Sequence, residues 1–267
     1  MNEKREAVNI FAQLGRPILF VINELGRHLL FLLFACLRIF SGRQQLRNIV
    51  QHVYFIGARS TLIVALVALF TGMVLGLQLY HTLIQFGSVG ALGSAVSLTL
   101  IRELGPVLTA IMITARAGSA MTSEIGVQRI TEQIDALYTM GVDPIRYLVS
   151  PRVAAALVSF PLLTVMFDLI GIIGAYFTGV VLLGLDSGTY FYRVQSSVDM
   201  EDITGGLVKA LVFAALVTSV CCYQGYFTHF RKAAHGAQAV GTSTTSAVVA
   251  SCVLILIADY IVTSFLL

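Results

Sequence analysis

Arg102 and Glu103 stand side by side in an apolar run, and no other charged residue occurs between Arg59 and Arg116. An ionised side chain at the centre of a membrane helix costs at least about 2.5 to 3.5 kcal/mol on insertion scales, so the pair is expected to face a cavity rather than lipid tails. Consecutive residues point about 100° apart on a helix, so these two cannot neutralise each other along one direction. Gly105 and Pro106 follow at once. Pro106 has no N–H to give the carbonyl of Arg102, which predicts a kinked or opened helix at the same depth. Polar backbone is tolerated there if it is buried in protein or lines a water-filled cavity. Two more carboxylates, Asp168 and Asp259, interrupt later apolar runs. Each is a candidate proton or ion site, or else it caps a broken helix or pairs with an Arg or Lys of a neighbour.

The elements that position these groups are read from composition. Hydrophobic residues make up 57% of the chain and charged residues 12%, with a mean hydropathy of +0.86. Soluble domains carry roughly a quarter charged residues, so this is an all-α integral membrane protein whose length is counted in spans of about 20 residues. Five spans are expected, at about 60–80, 91–115, 153–183, 205–228 and 244–267, forming one membrane domain over 59–267. Gly72 and Gly76 form a GxxxG in the first span, which permits close helix approach. Pro161 and Asp168 are expected to interrupt the third.

Residues 1–58 read as a separate N-terminal region. Arg5, Arg16, Arg27 and Arg38 recur every eleven residues, close to three helical turns, and so share a face. A helix lying in the membrane interface fits this pattern, and the flanking charges argue against a cleaved signal peptide. Basic residues crowd the stretch up to Arg59, recur at Arg116, Arg129, Arg146 and Arg152, and return at Arg231 and Lys232; the other two connections hold none and Arg193 alone. The positive-inside rule then places the N-terminus in the cytoplasm and the C-terminus outside.

The connection between the second and third spans is longer than linkage requires. Thr131 is expected as an N-cap, Glu132 and Asp135 lie in the first turn where the helix dipole favours acids, and Gly141 closes the helix. Ile134, Leu137 and Tyr138 give it one apolar side. Asp143 and Pro144 read as the N-cap and first residue of the next helix. Such a helix, at about 131–141, could lie on lipid or dock into another protein, and its acidic first turn disfavours an anionic lipid surface.

Several functions are excluded or weakened. Lys4, Lys209 and Lys232 follow Glu, Val and Arg, so none belongs to a GxxxxGK[ST] phosphate loop, and any ATP used must be hydrolysed elsewhere. An intramembrane hydrolase needs a base at depth, whereas His28, His52, His81, His229 and His235 fall at expected ends, interfacial segments or loops. Cys36, Cys221, Cys222 and Cys252 show no CxxC spacing and read as small buried hydrophobes, so no metal site is expected. A secondary transporter using Asp168, Asp259 and Glu103 stays open, although no internal repeat is visible.

The order of motifs resembles the MlaE-type permeases. The residues that carry the resemblance are Glu103-Leu104-Gly105-Pro106, Ala115-Arg116-Ala117-Gly118-Ser119-Ala120, Ser123-Glu124-Ile125-Gly126, Thr131 through Leu137, Met140 through Pro144, and Pro151-Arg152. Phe70 through Gln78 and Pro161 through Thr164 are similar too, so the resemblance covers about residues 55 to 265. Ala115 stands where the family has glycine. The resemblance implies a homodimeric membrane subunit of an ABC transporter that moves phospholipids between the inner and outer membranes of Gram-negative bacteria, maintaining lipid asymmetry. It implies that the 131–141 helix is a coupling helix on a cytoplasmic ABC ATPase, through Glu132, Gln133, Asp135, Leu137, Met140 and Asp143. ATP and Mg belong to that partner, and this chain binds no cofactor and no nucleic acid. A periplasmic MCE-domain protein and a small STAS-domain protein are the other implied partners. On this reading Arg102 and Glu103 line a chamber for a phospholipid, Arg102 attracting the phosphate or gating its exit, with Leu77, Gln78 and Tyr80 as wall. The competing reading is an inter-helix ion pair that holds the bundle together.

Overall fold

The apolar runs fold into helices, the one structure that satisfies every backbone group within a segment that water does not reach. The computed structural model describes residues 26–28, 30–37, 43–228 and 236–266, and among them there is no strand. Helices α2 (Arg43–Val53), α3 (Thr61–Gln85), α4 (Leu92–Thr99), α5 (Gly105–Ile113), α6 (Ser119–Ile130) and α7 (Gln133–Thr139) are followed by α8 (Ser150–Tyr176), α9 (Ser187–Ser197), α10 (Met200–Tyr226) and α11 (Ala237–Leu266). A preceding helix, α1, comprises residues 26–28 and 30–37. Among the described residues, five helical runs are long and apolar enough to cross a membrane: Leu46–Gln85, Val89–Ile130, Ile145–Leu182, Met200–Tyr226 and Ala237–Leu266.

The runs exceed the expected spans at specific places. The second does not leave its helix at Arg116 but continues to Ile130, because π-helical turns at Leu100–Leu104 and Thr114–Gly118 join α4, α5 and α6 without a gap. Arg116 is accommodated by donating from Nη1 to the Phe55 carbonyl at 2.7 Å and to Ser60 Oγ at 2.9 Å. The polar connection thereby shrinks to the few residues around α7. The third run starts at Ile145 rather than Val153, since Arg152 is buried and its Nη2 pairs with Glu124 at 2.9 Å. Pro161 does not interrupt α8, nor does Asp168. The fourth run starts at Met200, fixed by a reciprocal capping box between Asp199 and Asp202.

In the N-terminal region Arg5, Arg16 and Arg38 lie outside the described residues. What is described is more integrated than a separate interfacial region: α2 passes through a π-helical turn, Tyr54–Ala58, into α3. Leu46, Val50 and Tyr54 leave an exposed apolar stripe along it. Phe31 and Ala35 of α1 pack with Tyr223 and Tyr226 of α10 and with Leu148 and Val149.

Lipid tails are as apolar as side chains, so helices here associate through close packing rather than hydrophobicity. The α3/α8 pair illustrates it. A Cβ on Gly72 would meet the Gly171 backbone, with its Cα at 2.8 Å, and one on Gly76 would lie 3.0 Å from Ala175 Cα. The expected GxxxG is therefore a contact within this chain. At the same end as the α3/α4 turn, Asp186 caps α9, accepting from the Thr189 amide at 2.7 Å, and those hydrogen bonds hold its carboxyl below the usual carboxylate range. Tyr190 of α9 is fully buried and donates to the Ile172 carbonyl at 2.9 Å, burial pushing its hydroxyl above the usual tyrosine range.

Candidate functional site: a charged cavity and a docked amphipathic helix

Pro106 organises the site. It can give no hydrogen bond to the carbonyl four residues back, that of Arg102, and the helix responds with the π-helical turn Leu100–Leu104. The expected break is thus a widened turn in a continuous helix, not an opened chain. The orphaned Arg102 carbonyl finds a donor on another helix: Lys209 Nζ of α10 lies 2.7 Å from it. The same ammonium pairs with Glu103 Oε2 at 2.7 Å and Asp259 Oδ1 at 3.1 Å. Thr263 of α11 donates to the other Glu103 oxygen at 3.3 Å. Arg102, pointing the other way, pairs through Nε with Asp202 at 2.6 Å. Arg102 and Glu103 do diverge, and each is neutralised by a different residue of α10.

Lys209 has only 3% of its side chain exposed, whereas Arg102 keeps 47% and Glu103 41%. The inner half of the network is therefore structural and the outer half faces a cavity of about 400 Å³, walled by Arg102, Glu103, Glu201, Gly205, Lys209 and Leu266 among others. The cluster lies nearer one end of the bundle than the expected mid-span depth. Asp202 belongs to the first turn of α10, while Thr263 and Leu266 are near the last turn of α11. The expected wall residues are not brought here within one chain. Leu77 and Gln78 are exposed on α3, and the Tyr80 hydroxyl points to the Leu183 carbonyl at 3.4 Å. Asp259 belongs to the network; Asp168 does not, and lies beside Gly105 on the α8 side of the same break.

Sequence reasoning missed Lys209 and Asp202. Lys209 carried a readable signal, a lone lysine in an apolar run, but served only to exclude a phosphate loop. Asp202 falls outside the expected 205–228 span because its helix starts earlier than the apolar run does.

At the opposite end of the α10 run, α7 stands between α6 and the turn before α8. Its N-cap is Glu132, not Thr131: Glu132 adopts a left-handed φ of 60°, and Thr131 ends α6, its hydroxyl donating to the Val127 carbonyl at 2.8 Å. Two helices meeting without a spacer leave no room for an extended cap. Gly141, at φ 72°, closes α7, with the Val142 amide donating to the Leu137 carbonyl at 3.0 Å. Asp143 accepts from the Ile145 amide at 3.0 Å, as expected of a cap before Pro144. Ile134 is fully buried, Leu137 packs beside it, and the Tyr138 hydroxyl meets that of Tyr226 at 2.7 Å. The apolar side of α7 thus packs in part against this chain's own helices, with Tyr138 still 54% exposed. Glu132, Gln133, Asp135 and Met140 remain exposed, although Asp135 pairs with Arg129 at 2.8 Å. Among the described residues no cluster of three His, Cys, Asp or Glu side chains could hold a metal ion.

Among the described residues, five membrane-length helices, a charged cavity near one end and an amphipathic helix docked at the other define a multi-pass all-α membrane protein. The family model described as "Permease MlaE" matches residues 49–265, and the chain belongs to that family. The intermembrane phospholipid transport system permease protein MlaE of Haemophilus influenzae is 39% identical over 264 residues, covering 97% of this chain and 98% of its own length. A probable ABC transporter permease protein of Rickettsia bellii is 39% identical over 256 residues, 96% of this chain and 97% of the relative. The chloroplastic protein TRIGALACTOSYLDIACYLGLYCEROL 1 of Arabidopsis thaliana is 34% identical over 229 residues, 86% of this chain and 64% of the relative.

Proposed function

We propose that this chain is the membrane subunit of an ABC transporter that moves phospholipids between the inner and outer membranes and so maintains outer-membrane lipid asymmetry. The observation that carries the reading is the cavity at Arg102 and Glu103, in a chain 39% identical to a phospholipid transport permease along nearly its whole length. The protein works as a homodimer in the bacterial inner membrane, its N-terminus cytoplasmic and its C-terminus periplasmic. The cavity then opens toward a periplasmic MCE-domain partner, and α7 sits on the cytoplasmic side against an ABC ATPase that binds ATP and Mg; a STAS-domain protein attaches to that ATPase. Because α7 turns its apolar face inward and leaves Glu132, Gln133 and Met140 outward, it suits a protein partner better than a lipid surface.

The cavity's charge refines the role of Arg102. Its Nε already pairs with Asp202, so a lipid phosphate would compete with that carboxylate for the guanidinium. Arg102 therefore acts as a gate whose partner is exchanged when cargo enters. The alternative, an ion-coupled secondary transporter using the intramembrane carboxylates, loses two of its three candidates, because Glu103 and Asp259 already share Lys209. Gentle solubilisation followed by mass spectrometry of co-purifying proteins and lipids tests the reading: an ATPase, an MCE-domain protein and phospholipid are expected together. A chain that transports lipid without an ATPase would refute it.

A further inference from the structure

Asp168 is the charged residue that the network around Lys209 leaves unused. Its Oδ1 is fully enclosed and has no hydrogen-bond partner. That atom occupies the space beside Gly105 where a side chain would stand, against the turn that Pro106 widens. The carboxyl borders a small cavity of about 120 Å³ between the α4/α5 turn, α8 and α10, lined by Ile101, Thr164, Ile172, Gly206 and Leu207 among others, and overwhelmingly apolar. No cation on any of these elements faces it. Arg102 is held by Asp202 and Lys209 by Glu103 and Asp259, all on the far side of Gly206, which borders both cavities. Within α8 the nearest charge toward the N-terminus is Arg152, paired with Glu124.

An isolated carboxylate without a cation or donor is far more costly to bury than a neutral acid, which is only a polar group. A volume of 120 Å³ holds a few waters at roughly 30 Å³ each, enough for proton exchange but not for hydrating a charge fully. We propose that Asp168 is a proton-binding site, carrying its proton while α8 is packed against the Pro106 turn. Gly105 is required because it leaves room for the protonated carboxyl.

The probe is dicyclohexylcarbodiimide, an apolar reagent that takes protonated carboxyls. The acid adds across one C=N bond, its oxygen joining the central carbon and its proton passing to nitrogen; acyl migration to nitrogen then gives a stable N-acylurea with no leaving group. The full chain in lipid nanodiscs is treated across a pH series and the modified carboxyls are located by peptide mass spectrometry. Asp168 should be labelled in preference to Glu103 and Asp259 at neutral pH, and labelling should fall about tenfold for each further pH unit once the ionised form predominates. Gly105→Ala, which fills the carboxyl's space, should change that profile. Infrared spectra of the untreated protein should show a protonated-acid carbonyl band that Asp168→Asn removes. An unlabelled Asp168, labelling equal to that of the two ion-paired carboxylates, or no such infrared band would overturn the proposal. None of these readouts depends on lipid transport, and the labelling is read on the wild-type chain even if a variant fails to fold.

Discussion

Lys209 Nζ donates to the carbonyl of Arg102 at 2.7 Å, supplying from α10 the hydrogen bond that Pro106 removes from its own helix. One ammonium thereby serves a broken backbone and two carboxylates, Glu103 and Asp259. Proline, lysine and acids are parts of one joint. The charges cannot be explained without the break, nor the break without the charges.

Lys209→Met should accordingly be costly. Removing one partner of a buried ion pair costs about 3 to 5 kcal/mol, because the remaining charges are left uncompensated. We expect a clear fall in the thermal unfolding midpoint of the purified protein, most of it recovered when Glu103→Gln and Asp259→Asn are added. Pro106→Ala restores a backbone donor, so it should rescue part of the Lys209→Met loss; strict additivity in that cycle would show that the lysine does not serve the orphaned carbonyl.

The α3/α8 seam predicts a steric effect. At Gly72 a methyl group would press on the Gly171 backbone, and overpacking costs about 1 to 3 kcal/mol or more. Gly72→Val should lower folded yield and thermal stability well beyond Gly26→Ala, whose new Cβ meets nothing within 4 Å. Equal stability for the two variants would contradict the close approach.

For α7, Glu132→Lys should leave folding intact, since the side chain is exposed and the helix is held by Ile134 and Tyr138. Asp135→Lys breaks only a largely exposed pair with Arg129, worth about 0 to 1 kcal/mol. Both should nevertheless abolish ATPase association and lipid transport. Pull-down of the ATPase by each variant checks this, and undiminished capture by both would remove α7 as the coupling element.

Much of this was legible in the residues. Membrane class and number of spans follow from composition, and the closing of α7 at Gly141 and the cap at Asp143 follow from local chemistry. What was not legible depends on pairing across long sequence distances. Arg116 continues a helix instead of ending it because Phe55 and Ser60 receive it. Asp202 lies in a helix because Asp199 caps it. Pro161 leaves α8 continuous, although proline in a helix interior ordinarily ends or kinks it. Their position at the outer end of the first span groups Leu77, Gln78 and Tyr80 with Arg102, but within a single chain they do not line its cavity.

The measurement closest to the central claim is the amount of phospholipid retained per permease when the complex with its ATPase is purified gently from cells carrying Arg102→Ala and Glu103→Ala. The account predicts that the ATPase still assembles while bound lipid and transport both fall. Loss of assembly with unchanged lipid in whatever complex remains would contradict it, leaving Arg102 and Glu103 as braces of the bundle rather than walls of a lipid chamber.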